Sequence, residues 1–404
     1  MKQHSVDMSN EKLQIGELSS KVSRVSGITG LLFLAAAAIF GLVLAEDATR
    51  FFASWLLSFV FFLSLSLGAL FFVLIQHVTS ASWSVVVRRL AEGIAGNFPV
   101  LLILFLPILG GMDLLYHWSD AEAVAHDSLL QWKEPYLNLP FFCARMAFYF
   151  LAWIAVSLYY RKTSIQQDAS GDPALSIRMK RLAAPSLVIF ALTATFVSVD
   201  LLMSLDAHWF STMFGVYYFA GSFLSFLAAL SILAVWLQER GFLVRTISIE
   251  HYHDIGKFSF AFVVFWAYIA FSQYMLIWYA NVPEETTWFL ARQTGQWEAW
   301  SWLLLFGHFV IPFLGLVSKR LKRRGRTLLP WAIWLLLMHW VDMFYLVMPV
   351  FGESGVLPLS ILDALTFTGF AGLYVAGLFR TLGKSALIPL KDPRLQDSIS
   401  FENA

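Results

Sequence analysis

The stretch SWLLSFVFFLSLSLGALFFVLIQ, residues 54–76, carries no charged side chain and is built from Leu, Phe, Val and Ser. About 20 consecutive apolar residues are what an α-helix needs to cross a hydrocarbon core roughly 30 Å thick. The run lacks the apolar–polar alternation of a membrane β-strand. Nine more apolar runs of this kind lie at roughly 27–45, 98–116, 140–160, 182–204, 212–236, 257–280, 298–318, 328–349 and 357–379. The reading is an all-α integral membrane protein of about ten transmembrane helices. Since ten is even, both termini fall on one side.

Composition agrees. Hydrophobic residues make up 58% and charged residues 14% of the 404, against roughly 45–50% and 25% in soluble proteins. A chain with 38 Phe, 16 Trp and 13 Tyr is neither a water-soluble domain nor a disordered one. The net charge of +1, with no basic domain set apart, argues against a nucleic-acid partner. The single cysteine, Cys143, excludes an internal disulfide, an iron–sulfur cluster held by this chain alone and a CxxCH haem attachment.

Lys and Arg divide unevenly between the connections. Twenty-four lie on the side of the termini and three, Arg50, Lys133 and Arg292, on the other, with Arg145 inside a span. The positive-inside rule makes the terminal side cytoplasmic. The organisation expected is a cytoplasmic arm at 1–26, a transmembrane domain at 27–380 and a cytoplasmic tail at 381–404. The arm and tail read as disordered or as docking segments. The longest outer connection, 117–139, should pack over the membrane surface.

An ionisable side chain at mid-bilayer costs about 2.5–3.5 kcal/mol on insertion scales, so it faces protein or water. Asp113, Asp200 and Asp342 each lie past the middle of an outward-running span, and Arg145 and Asp363 near the start of an inward-running one. All five belong to the outer half of the membrane. His308 and His339 fall near the midplane of neighbouring antiparallel spans. Asp342 is three residues beyond His339 on the same helix face. Asp113 and His117 share a face by their i,i+4 spacing. Three words, Met112-Asp113-Leu114-Leu115, Val199-Asp200-Leu201-Leu202 and Val341-Asp342-Met343-Phe344, hint at an internal repeat of the kind found in transporters.

Each of these groups has a plain structural reading beside a functional one. A lone aspartate can join two helices, and Arg145 fits best as a counter-ion for one of the aspartates. The two histidines could form a proton relay, hold a bis-histidine haem, or be satisfied core residues. Tyr268, near the midplane, could join a proton path or simply pack. Asp206 and His208, in a tight outer turn, could gate such a path or be solvated.

Three longer words carry a resemblance. They are AFSQYMLIWYANVPEET (270–286), LLFGHFVIP (304–312) and HWVDMFYLVMP (339–349). With the ten spans, they resemble the NrfD/polysulfide-reductase family of membrane subunits, and within it the ActF-type subunits of bacterial alternative complex III. The resemblance implies two four-helix bundles, spans 2–5 and 6–9, flanked by spans 1 and 10. It implies the bacterial cytoplasmic membrane, and a complex that oxidises quinol and passes electrons to cytochrome c or a terminal oxidase. No cofactor would sit on this chain. Iron–sulfur clusters and c-type haems would belong to partner subunits, among them an iron–sulfur protein, haem c subunits and an ActC-like paralogue, with lipids around them. The expectation for this chain is a proton-transfer path, with His308, His339 and Asp342 at its centre and Asp113, His117 and Asp200 forming the outer exit or a quinone-headgroup site. The alternatives are an anchor for peripheral redox subunits without a proton path, and a stand-alone ion-coupled transporter.

Overall fold

The structure is a computed structural model and describes residues 11–403. Ten of its helices are long and apolar enough to cross a membrane. They are α1 (Glu17–Leu44), α2 (Ala48–Val78), α3 (Val85–Gly110), α4 (Leu139–Ser170), α5 (Pro173–Leu205), α6 (Phe214–Glu239), α7 (Ile249–Ala280), α8 (Gln296–Leu316), α9 (Gly325–Val350) and α10 (Ile361–Leu382). The protein is an all-α, multi-pass membrane protein.

Several helices outrun their apolar stretches, because hydropathy marks only the part that lies in hydrocarbon. Their true starts are set by caps. Ser248 closes a capping box with His251 ahead of α7, and Ser360 does so with Asp363 ahead of α10. Asn138 and Asp172 cap α4 and α5, each followed by a proline in the first turn. In α3 the extension carries Arg88, Arg89 and Glu92, all buried. The far end of α3 is shorter than expected. It stops at Gly110, and Gly111 opens a separate four-residue turn, Met112–Leu115.

Helices α2–α5 pack on one another, as do α6–α9, and the two groups meet along α2 and α6. These two are apolar all round and nearly enclosed, the signature of a helix in the middle of a bundle. Helix α10 lies against α2, and α1 lies on α10. The α1–α10 contact is close because glycines face each other: a Cβ on Gly30 would lie 2.7 Å from the Leu373 nitrogen and 2.8 Å from the Gly369 oxygen.

The C-terminal segment folds back. Leu387 and Ile388 are fully buried, and the Leu387 N–H donates to the Leu13 carbonyl at 2.8 Å. Residues 11–16 and the tail thus meet on one face, called here the terminal face. Residues 1–10 of the expected arm lie outside the described residues.

Candidate functional site

The interior polar groups converge where α2, α6, α7, α8 and α9 meet. His339, on α9, is buried and shares a hydrogen bond through Nε2 with Ser64 Oγ of α2 at 2.8 Å. Asp342, one turn further along α9, is wholly enclosed. Its two oxygens accept from the Tyr217 hydroxyl of α6 and from Trp266 Nε1 of α7, the latter at 3.1 Å. Trp266 also stacks on His308 of α8, ring centroids 4.1 Å apart. His308, Trp266, Asp342 and Tyr217 therefore form one contact chain, and His339 lies on the Asp342 helix face beside it.

Two local features make this possible. Residues Leu304–Val310 form a π-helical turn, which rotates His308 relative to the rest of α8. Such wide turns are frequent at functional sites. Opposite α9, residue 221 is glycine. A Cβ there would stand 3.2 Å from His339 Cε1 and 3.6 Å from an Asp342 carboxylate oxygen, so the missing side chain leaves the space both groups occupy.

The polar atoms of this cluster are incompletely satisfied within the protein. Both ring nitrogens of His308 and Nδ1 of His339 are buried with no hydrogen-bond partner among the described residues. Buried polar atoms of this kind normally bond water or a ligand. The Trp266 indole lies over the face of the His308 ring and leaves both its nitrogens free, while Ser64 takes His339 Nε2.

The other intramembrane aspartates stand apart from the cluster, each in an ion pair. Asp200 receives Arg145 Nη2 at 2.8 Å and the Tyr149 hydroxyl at 3.0 Å. The Arg145 guanidinium also donates to the Tyr136 carbonyl and lies over the Tyr136 and Phe141 rings at 3.9 and 4.4 Å. Asp363 receives Arg50 Nη2 at 2.5 Å and Ser54 Oγ at 2.9 Å. Arg145 is thus the counter-ion of Asp200, and the hydrogen bonds of Asp200 go to Arg145 and Tyr149 rather than to the Asp342 cluster.

The expectation for Asp113 and His117 is corrected. Asp113 lies beyond the end of α3 and is exposed, accepting from Ser119 Oγ at 3.2 Å. The backbone turns extended at Tyr116, so Asp113 and His117 share no helix face. The Gly110-Gly111 pair causes this, because neither residue favours continuing a helix. Tyr268 is 62% exposed and points outward from α7. His117, Asp206 and His208 do come together, around a pocket of about 360 Å³ on the face opposite the termini, the far face. His208 bonds Asp127 there at 2.6 Å. The Leu129 and Leu130 N–H groups also hold Asp127. The Leu130 bond comes first among the influences that set its carboxyl below the usual carboxylate range.

A second cavity, of about 730 Å³, opens between α7 and α8. Exposed Phe271 and Trp302 stand in its wall with Tyr217, Trp266 and Tyr345. The cleft thus reaches the two donors that hold Asp342.

Sequence reading missed Tyr217, Trp266, Ser64 and Gly221 as site components. Arg50 and Arg292, assigned from sequence only to the outer connections, are both buried. The available signal was spacing: Ser64 and Ser66 alternate inside an otherwise apolar run, and Gly221 sits at the same depth as the histidines. No protein-family model matches the chain, and no curated protein matches it.

Proposed function

We propose that this chain is an integral membrane subunit of a quinol-oxidising respiratory complex of the alternative complex III type, and that the Asp342 cluster is its proton-transfer element. The observation that carries the proton reading is the contrast among the buried aspartates. Asp200 and Asp363 are matched by guanidinium groups. Asp342 has only neutral donors, Tyr217 and Trp266, among the described residues. Protonating an ion-paired carboxylate strands a buried cation, whereas protonating Asp342 breaks no charge pair. Two histidines with free ring nitrogens next to it supply the further stations that a relay of waters and side chains needs.

The three motifs and the ten-span plan support the family reading, and with it a set of partners: an ActC-like paralogue, an iron–sulfur protein, haem c subunits and a terminal oxidase or cytochrome c. In that setting the terminal face is cytoplasmic, as the Lys and Arg distribution implies. Quinol oxidation on the opposite side releases electrons to the partner haems and protons to water. The Asp342 cluster would couple that release to proton movement through this subunit.

The test is Asp342→Asn in the assembled complex, reconstituted in liposomes. The amide keeps the size and accepts one hydrogen bond but cannot carry the proton. Removing a positioned proton carrier costs on the order of 100-fold or more in the step it serves. We expect the complex to assemble with unchanged haem absorbance and the protons moved per electron to fall sharply. Undiminished proton yield at normal turnover would leave only the anchor function. Purification of the chain free of haem and iron–sulfur subunits, with solute uptake in liposomes, would favour the stand-alone transporter.

A further inference from the structure

Trp288 lines both the far-face pocket and the cleft beside Asp342, and the buried Arg292 packs on its ring. Arg292 follows the short helix Pro283–Ala291 and is only 2% exposed. It lines the pocket that holds His117, Asp206 and His208. Its guanidinium lies 3.4 Å from the Trp288 ring centroid and 5.4 Å from that of Tyr345, and those two side chains both line the cleft that Tyr217 reaches. Its N–H groups donate to the carbonyls of Tyr345 at 3.0 Å, Trp288 at 2.9 Å and Leu346 at 3.4 Å. It forms an ion pair with no carboxylate among the described residues. Burial pulls its pKa down to about 10, so it stays a cation at neutral pH.

A buried cation with no carboxylate in contact is costly to keep, and the nearest help comes from Asp206 across the far-face pocket. The carbonyl contacts of Arg292 explain how it is held at the end of α9, since cations suit a helix C-terminus. They do not explain why charge is needed there. We propose that Arg292 is an electrostatic gate, a fixed positive charge that holds protons and other cations in the far-face pocket away from Asp342. The inference rests on the proton-transfer reading of Asp342. Fixed arginines serve this way in pores that must exclude protons and cations. A unit charge about 10 Å away, at an effective dielectric constant of about 20, lowers local cation occupancy by on the order of tenfold. Asp206, the carboxylate in the same pocket, would then accept protons on the far side of that barrier, with His208 and His117 as its neighbours.

The test uses the full chain, within its complex where it purifies as one, in liposomes loaded with a pH-sensitive dye. A valinomycin-set potassium gradient drives passive proton entry. Arg292→Gln should raise the leak about tenfold, and Arg292→Lys, which keeps the charge, should stay near wild type. Thr287→Glu leaves Arg292 in place but adds a carboxylate to the exposed pocket wall, and should raise the leak by a smaller factor. Adding Asp342→Asn to Arg292→Gln should abolish the excess leak, which a merely loosened fold would not allow. A wild-type leak in a correctly sized Arg292→Gln protein, or a leak indifferent to Asp342→Asn, overturns the gate. If Arg292→Gln fails to fold, a wild-type leak in Thr287→Glu overturns it instead. A failure of the relay itself shows separately, as an unchanged proton yield in Asp342→Asn with Arg292 intact.

Discussion

Asp200, Asp363 and Asp342 are all buried in the membrane-spanning region, yet only the first two face a guanidinium. The difference decides what each side chain can do. A paired buried carboxylate and arginine hold two helices together, here α4 to α5 and α2 to α10, and neither partner can change charge cheaply. Removing one partner of a buried pair costs about 3–5 kcal/mol, whereas changing a hydrogen bond to a neutral donor costs on the order of 1 kcal/mol. Arg145→Met should therefore destabilise the protein far more than Asp342→Asn. Tryptophan fluorescence during denaturation in detergent measures both. If Asp342→Asn proves the more damaging of the two, the assignment of Asp200 as structural and Asp342 as functional is wrong. The same logic explains why Arg145 was legible as a counter-ion and Arg50 was not. Arg145 sits inside an apolar run and must find an anion. Arg50 sits at a span end, where a solvated arginine and a buried one look alike in sequence.

Among the elements, α1 and α10 show how little apolar complementarity a membrane contact needs. Both are mostly lipid-facing, and their contact depends on missing side chains rather than large ones. At the crossing, a Cβ on Gly372 would stand 2.5 Å from Gly30 Cα and 2.6 Å from the Ser26 oxygen. Ser23 Oγ donates to the Ala376 carbonyl at 2.9 Å in the same seam. Gly30→Val should push the helices apart at a cost of about 1–3 kcal/mol. Cysteines placed as Ser23→Cys and Ala376→Cys should cross-link in the parent protein and lose most of that yield when Gly30→Val is added. Equal yields would mean that the glycines do not set the contact. The spans themselves were legible, because an apolar run of the right length has few other uses. The pairing of His339 with Asp342 was legible from i,i+3 spacing along one unbroken helix. The pairing of Asp113 with His117 failed because Gly110-Gly111 ends α3 first. Convergence of His308 with the α9 pair depended on the π-turn in α8 and on which helices neighbour each other, and a single sequence encodes neither in a readable period.

At the scale of the molecule, charge gathers at the terminal face in a buried clasp, built in part from a tail whose sequence reads as a disordered or docking segment. Arg88 and Arg89 are fully buried, bonded to Asp392 at 2.5 Å and Asp168 at 2.9 Å, with Glu92 3.3 Å from Arg89. The tail closes over them. Ser398 Oγ donates to the Trp83 carbonyl at 2.8 Å, and the Ser398 carbonyl lies 3.0 Å from His251 Nε2 at the start of α7. One short segment therefore ties α3, on the first group of helices, to α7, on the second. Burial pushes the Asp392 carboxyl up, but the Arg88 and Arg394 guanidiniums beside it more than reverse that and hold it well below the usual carboxylate range. A depressed folded-state pKa stabilises the protein at every pH above the unfolded value of about 3.9, and that contribution fades only as pH falls below it. The Asp392 pair should thus hold unchanged between pH 5 and 8, and acid should break it only well below pH 4. Asp392→Asn removes the charge at all pH values and leaves Arg88 with Glu92 alone, 3.6 Å away. The expected loss at neutral pH is on the order of 3 kcal/mol. Trypsin, which cuts after Lys391 and Arg394, should then clip the tail of the variant in detergent micelles much faster than that of the parent. Equal clipping rates at pH 7.5 would show that apolar burial of Leu387 and Ile388 holds the tail without help from the charge pair.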